Sequence, residues 1–120
     1  MQISKRKLDP KFEKEMKEIL AQVIADIPNK EKALVFLEDF LTETEHIVLA
    51  KRMAVMFYLS KGFSYEKIKA EVKVSSATIA SVQSALEQKS PGFEMALAFI
   101  KAEEWASKWT SKLSGIFGKK

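Results

Sequence analysis

Residues 64–88 read SYEKIKAEVKVSSATIASVQSALEQ, and this stretch decides how the rest of the chain is to be understood. Ser64 suits the cap of a short helix whose inward positions are Ile68 and Val72. The segment Lys73-Val74-Ser75 then breaks the helical period, and Ser75 or Ser76 caps a second helix facing inward through Ile79, Val82 and Leu86. Two helices meeting at about 90–120° need apolar residues on the first, one at the corner (here Val74) and more on the second. The spacing therefore predicts a helix-turn-helix. Its free face is Ser76, Ala77, Ala80, Ser81 and Ser84, with Thr78 at the edge. These side chains are small enough to approach base-pair edges in a major groove without clashing. A plain antiparallel helix pair in a bundle would show the same apolar spacing. The chain also departs from the commonest form of the motif, with Lys69 where the first helix often has alanine and Lys73 where the corner often has glycine. Both lysines are placed to reach phosphates.

The chain has 120 residues, 47% of them hydrophobic, which is enough for one domain with a modest core. Residues 1–120 are expected to form that single domain. There is no cysteine, so disulfides, a thiol nucleophile and thiolate metal sites are excluded, and one histidine leaves little room for other metal or acid–base chemistry. No cofactor or metal is expected. The net charge of +4 suits an anionic partner without amounting to a polybasic tail. The opening MQISKRKLD is basic with no apolar stretch behind it, and Lys51-Arg52 and Lys61 interrupt the longest apolar runs. A cytoplasmic protein with no membrane association is the expectation.

Toward the N-terminus, Asp9-Pro10 opens a first helix, with Asp as cap and Pro at the first helical position. Phe12, Met16, Ile19, Leu20, Val23, Ile24 and Ile27 recur along it at helical spacing. Lys5, Arg6 and Lys7 precede it as a small basic arm. Ile27-Pro28 ends this helix, because the residue before proline is steered out of the helical region, and Asn29 caps the next. The second helix runs to about Phe40 and is dense in apolar residues (Ala33, Leu34, Leu37, Phe40, Leu41), which predicts burial on more than one side. LTETE at residues 41–45 reads as a capping box between Thr42 and Glu45. A third helix follows to about Lys61, apolar over far more than one stripe, and a second copy of the chain is expected to cover it. Leu49, Met53, Met56 and Phe57 are expected among the residues sealing that interface. Gly62 closes the helix and Phe63 packs back. Ser90-Pro91 starts a last helix, carried over residues 91–113, on which Trp105 and Trp109 read as packing residues.

The order LTETE, LAKRMA (49–54), LSKGFSYEKIKAEVKVSSATI (59–79) and SALEQ (84–88) resembles the Trp-repressor superfamily, particularly its Trp-repressor-like branch, over residues 40–97. The resemblance implies an all-α fold of about six helices per chain. It also implies an intertwined homodimer that sets two helix-turn-helix units on a palindromic DNA operator and represses transcription. Lys69, Ala77 and Thr78 match DNA-facing positions of the family, whereas Glu66 stands where an arginine reaches DNA in its founding member. With the reading of the motif, the residues expected at DNA are Lys67, Lys69, Lys73, Ser75, Ser76, Ala77, Thr78 and Ser81. The family's tryptophan pocket falls on Thr42, Arg52, Ser81 and Ala85. Arg52 and Thr42 match it, but Ser81 replaces a second arginine, Val82 a glycine and Ala85 a serine. Losing a cation and a hydroxyl while gaining bulk removes recognition of an amino acid's carboxylate and amine, so tryptophan is not expected to be the effector.

His46 lies beside Glu43 and Glu45, yet nothing near it in sequence supplies a nucleophile, and no enzyme is expected. The serious rival is a helical dimer whose motif serves as a protein-interaction surface, because residues 75–88 contain no Lys or Arg. Arginine is the commonest base reader, so specificity on DNA would have to come from Ser, Thr and Gln, from water or from DNA shape. The cations Lys51, Lys61, Lys67, Lys69, Lys73 and Lys89 flank the second helix, where they would position it on phosphates.

Overall fold

The structure, a computed structural model, describes residues 7–102. Among them are six helices and no strand: α1 (Pro10–Asp26), α2 (Lys30–Phe40), α3 (Glu43–Ser60), α4 (Tyr65–Val72), α5 (Ser76–Glu87) and α6 (Pro91–Ala102). The fold is all-α, as expected. No helix among the described residues is long and apolar enough to cross a membrane. Lys5, Arg6, Trp105, Trp109 and the expected course of the last helix from 103 to 113 lie outside the described residues.

The chain divides into two compact units, one reaching His46 and the other starting at Ile47. In the first unit, local chemistry accounts for every boundary. The Asp9 carboxylate accepts the Lys11 N–H at 3.2 Å, and Pro10 takes the first helical position. Ile27, ahead of Pro28, turns extended and donates its N–H to the Ile24 carbonyl at 3.2 Å. The Asn29 side chain then accepts from the Lys32 N–H at 2.9 Å. The capping box is present: Thr42 Oγ1 accepts the Glu45 N–H at 3.1 Å, and the Glu45 carboxylate accepts the Thr42 N–H at 2.8 Å. Neither α1 nor α2 contains a buried residue. Within the single chain α2 is not enclosed as expected: Leu34 and Phe40 are exposed, while Ala33, Phe36, Leu37 and, at the cap, Leu41 are half-buried. Phe36 stacks on Phe40 with ring centroids 5.0 Å apart. Two complete helices have too few faces to enclose one another, whatever their composition.

The second unit holds the core. Val55, Met56, Phe57 and Tyr58 of α3 are buried with Ile68 of α4, Ile79 and Val82 of α5 and Ile100 of α6. Phe63, Val72, Val74, Leu86, Phe93 and Leu97 pack partly buried against them. Four consecutive buried residues cover more than a full helical turn, so α3 is enclosed on all sides there. This corrects one expectation. Met56 and Phe57 lie inside the chain's own core, at 3% and 1% exposure, and are not available to a partner. Leu49 and Met53, earlier on α3, are exposed. At the helix end Gly62 takes φ +85°, where a side chain would be strained, and the Phe63 N–H returns to the Tyr58 carbonyl at 3.3 Å.

Candidate nucleic-acid interface

The helix-turn-helix forms from its own caps and its inward residues. Ser64 Oγ accepts the Lys67 N–H at 3.2 Å and starts α4, which buries Ile68 completely and Val72 in part. Lys73 ends α4 in the left-handed conformation, φ +62° and ψ +55°, with its N–H bonded to the Lys69 carbonyl at 3.0 Å. Ser75 rather than Ser76 caps α5, accepting the Thr78 N–H at 3.1 Å. The two helices meet through Ile68, Val74, Ile79 and Val82, as the spacing requires.

With Ile79 and Val82 inward and Leu86 half-buried, the other side of α5 faces solvent. Ser76, Ala77, Ala80, Ser81 and Ser84 are exposed, and Thr78 is half-buried at the edge. Its hydroxyl lies 3.1 Å from Ser75 Oγ, so it pairs with the cap as well as facing outward. Lys67 and Lys69 on α4, Lys73 at the corner and Lys89 beyond α5 are all exposed. A neutral ridge thus sits between cationic flanks. Lys61 is placed over the Phe57 ring, 5.5 Å from its centroid.

Lys51 behaves differently from the other flanking cations. Its ammonium donates to the Lys73 carbonyl at 3.0 Å, tying α3 to the corner of the motif. Sequence reasoning had grouped it with the phosphate-facing lysines.

The residues of the expected effector set fall in both units. Thr42 is in the first unit, with its hydroxyl engaged in the capping box. Arg52 on α3 is half-buried; Ser81 and Ala85 are one turn apart on α5, exposed and half-buried respectively. A shallow groove elsewhere in the second unit is lined by Leu59, Leu86 and Leu97 with Gln83, Glu87 and Glu94. Among the described residues its lining carries two carboxylates and no cation, which disfavours an anionic effector. Burial, reinforced by the nearby Glu71 carboxylate, pushes the Tyr58 phenol up, so it stays neutral near pH 7. Among the described residues no three or more His, Cys, Asp or Glu side chains gather as metal ligands.

Comparison with known proteins extends the likeness beyond the motif. The chain matches the family described as Trp repressor protein over residues 14–101. It is 32% identical over 94 residues to the uncharacterized protein YerC of Bacillus subtilis (strain 168), an alignment covering 78% of this chain and 89% of that protein. No solved structure matches it significantly. Because the family match starts within α1, takes in both helices of the motif and reaches residue 101 in α6, the chain belongs to the Trp repressor family.

Proposed function

We propose that this protein is a sequence-specific DNA-binding transcriptional repressor, acting as a homodimer on a palindromic operator and not responding to tryptophan. One observation carries the reading. α5 is anchored through the fully buried Ile79 and Val82 while its small polar side, Ser76, Ala77 and Ser81, stays exposed between Lys67, Lys69, Lys73 and Lys89. That is the division of labour of a recognition helix: phosphate contacts position it and the outward face reads bases. Family membership supports the same reading, and the Trp repressor is itself an example of this docking. Support for a second copy comes from the exposed apolar residues of α1, α2 and early α3, among them Ile19 at 64%, Phe40 at 61% and Leu49 at 51%. Residues 1–120 then form one domain completed by its partner copy. A two-fold dimer calls for an inverted repeat with half-sites about one helical turn apart.

Selection from a random duplex library tests the proposal. An inverted repeat is expected. Lys69→Ala and Lys73→Ala should weaken binding to all sequences alike, each lowering the salt slope by about one unit. Ser76→Ala should instead cost about 1–3 kcal/mol on the selected site and little on random DNA. Thr78→Ala should do the same, with an added loss from its pairing to Ser75. Millimolar tryptophan should leave the melting temperature unchanged, whereas a ligand at a hundred times its Kd adds about 2.7 kcal/mol. One observation favours a second reading: α5 carries no Lys or Arg, so its outward face also suits a protein partner. If no palindrome emerges, or the serine and lysine variants behave alike, that protein-interaction reading is the better account.

A further inference from the structure

We infer that Lys51 is a positioning residue for α5: by donating to the Lys73 carbonyl it holds the left-handed corner of the helix-turn-helix, and it does not act as a phosphate contact. The caps of the motif are local, with Ser64 bonding Lys67 and Ser75 bonding Thr78, each three residues away. They define where each helix starts but not how the corner sits on α3. Buried Ile68 and Ile79 fix that from inside. From outside, the Lys51 ammonium reaches across 22 residues to a carbonyl at 3.0 Å.

The acceptor suits the donor. Lys73 is the C-cap of α4, and the last carbonyls of a helix lack intrahelical partners and carry the negative end of its dipole. An ammonium there satisfies a carbonyl and opposes that charge. The corner also has a conformation that favours glycine but holds a lysine, so it does not keep its shape by intrinsic preference. Ser75, the cap of α5, lies two residues on. Any drift at Lys73 is therefore passed directly to the start of the helix proposed to read DNA.

This inference rests on the DNA-reading proposal for its consequence, so the experiment has one arm without DNA. Lys51→Met keeps the stem and removes the donor, Lys51→Arg restores charge and donors, and Lys73→Gly gives the corner a residue at ease in the left-handed region. In the free protein, amide hydrogen exchange over residues 73–78 should speed up in Lys51→Met and return toward normal in Lys51→Arg. On DNA, Lys51→Met should cut the ratio of selected-site to random-duplex affinity about tenfold, a coupling of ordinary size for residues sharing a network. The salt slope on random duplex should stay unchanged. In the Lys73→Gly background, the same change at Lys51 should cost much less of that ratio. Unaltered exchange in Lys51→Met would overturn the tie. A salt slope lower by about one unit with an intact ratio would make Lys51 a phosphate contact instead. If the unaltered protein selects no site, the DNA-reading proposal falls; faster exchange in Lys51→Met would then mark a structural tie without a reading role, which also overturns the inference.

Discussion

Helices α1 and α5 both carry apolar residues at helical spacing, yet they meet opposite fates. α5 buries Ile79 and Val82 completely, while Phe12, Ile19 and Ile24 of α1 stand more than half exposed. The difference is not in the pattern but in what each unit has available to pack against. In the second unit α4, α5 and α6 share one core with the last turns of α3. The first unit offers α1, α2 and the opening of α3, which leaves apolar area for the proposed second copy to cover. Helix α3 shows the same contrast within one element, with Leu49 exposed and Phe57 sealed.

The largest effect that would sharpen this contrast is expected at the sealed end. Phe57→Ala should lower the unfolding free energy by about 3–5 kcal/mol, read by chemical denaturation, because it opens a cavity in the chain's own core. Leu49→Ala should act on association instead. If a partner covers Leu49, its loss removes about 1.5–3 kcal/mol of burial, raising the dimer dissociation constant by about tenfold or more in light scattering across a dilution series. A monomer at all concentrations, with Leu49→Ala neutral, would break the contrast, since the exposed apolar residues of early α3 would then face only water.

What was legible in the sequence follows the range of the forces involved. Asp9, Asn29, Thr42 with Glu45, Ser64 and Gly62 were readable because a cap depends on residues two to four positions away. Ile68, Ile79 and Val82 were readable because helical periodicity assigns them one side. Periodicity could say that α3 is apolar all round but not what covers each part, so Met56 and Phe57 were expected at an interface and lie in the core. The same limit hid the exposure of Leu34 and Phe40 on α2. The tie from Lys51 to Lys73 was beyond reach for a different reason: it spans 22 residues and ends on a backbone carbonyl, which leaves no trace in side-chain spacing.

A smaller effect is expected from the cap of α5. Ser75→Ala removes the acceptor for the Thr78 N–H and should cost about 1 kcal/mol of stability in denaturant titrations, with oligomeric state unchanged. Ser75 is neutral, so this loss should be the same at neutral and acid pH. A loss that varied with pH would mean that a titrating neighbour holds the turn.

The smallest effect concerns the matching cap of α3, where a carboxylate is added to the capping hydroxyl of Thr42. The Thr42 N–H donated to Glu45 holds this carboxyl below the usual carboxylate range. A pKa lower in the folded chain than in the unfolded one means that the fold favours the ionised form. The contribution is therefore complete above the unfolded-chain value and disappears as pH falls through the lower folded value. Glu45→Gln keeps an acceptor for the Thr42 N–H but cannot ionise, so it should be less stable than the unaltered protein at neutral pH. The gap should close on acidification. Because Glu45 stands at an exposed helix start, added salt should shrink the neutral-pH gap as well. Parallel stability curves for the two proteins across this range would show that the capping box acts through geometry alone, and the contrast between a charged cap on α3 and a neutral one on α5 would lose its energetic meaning.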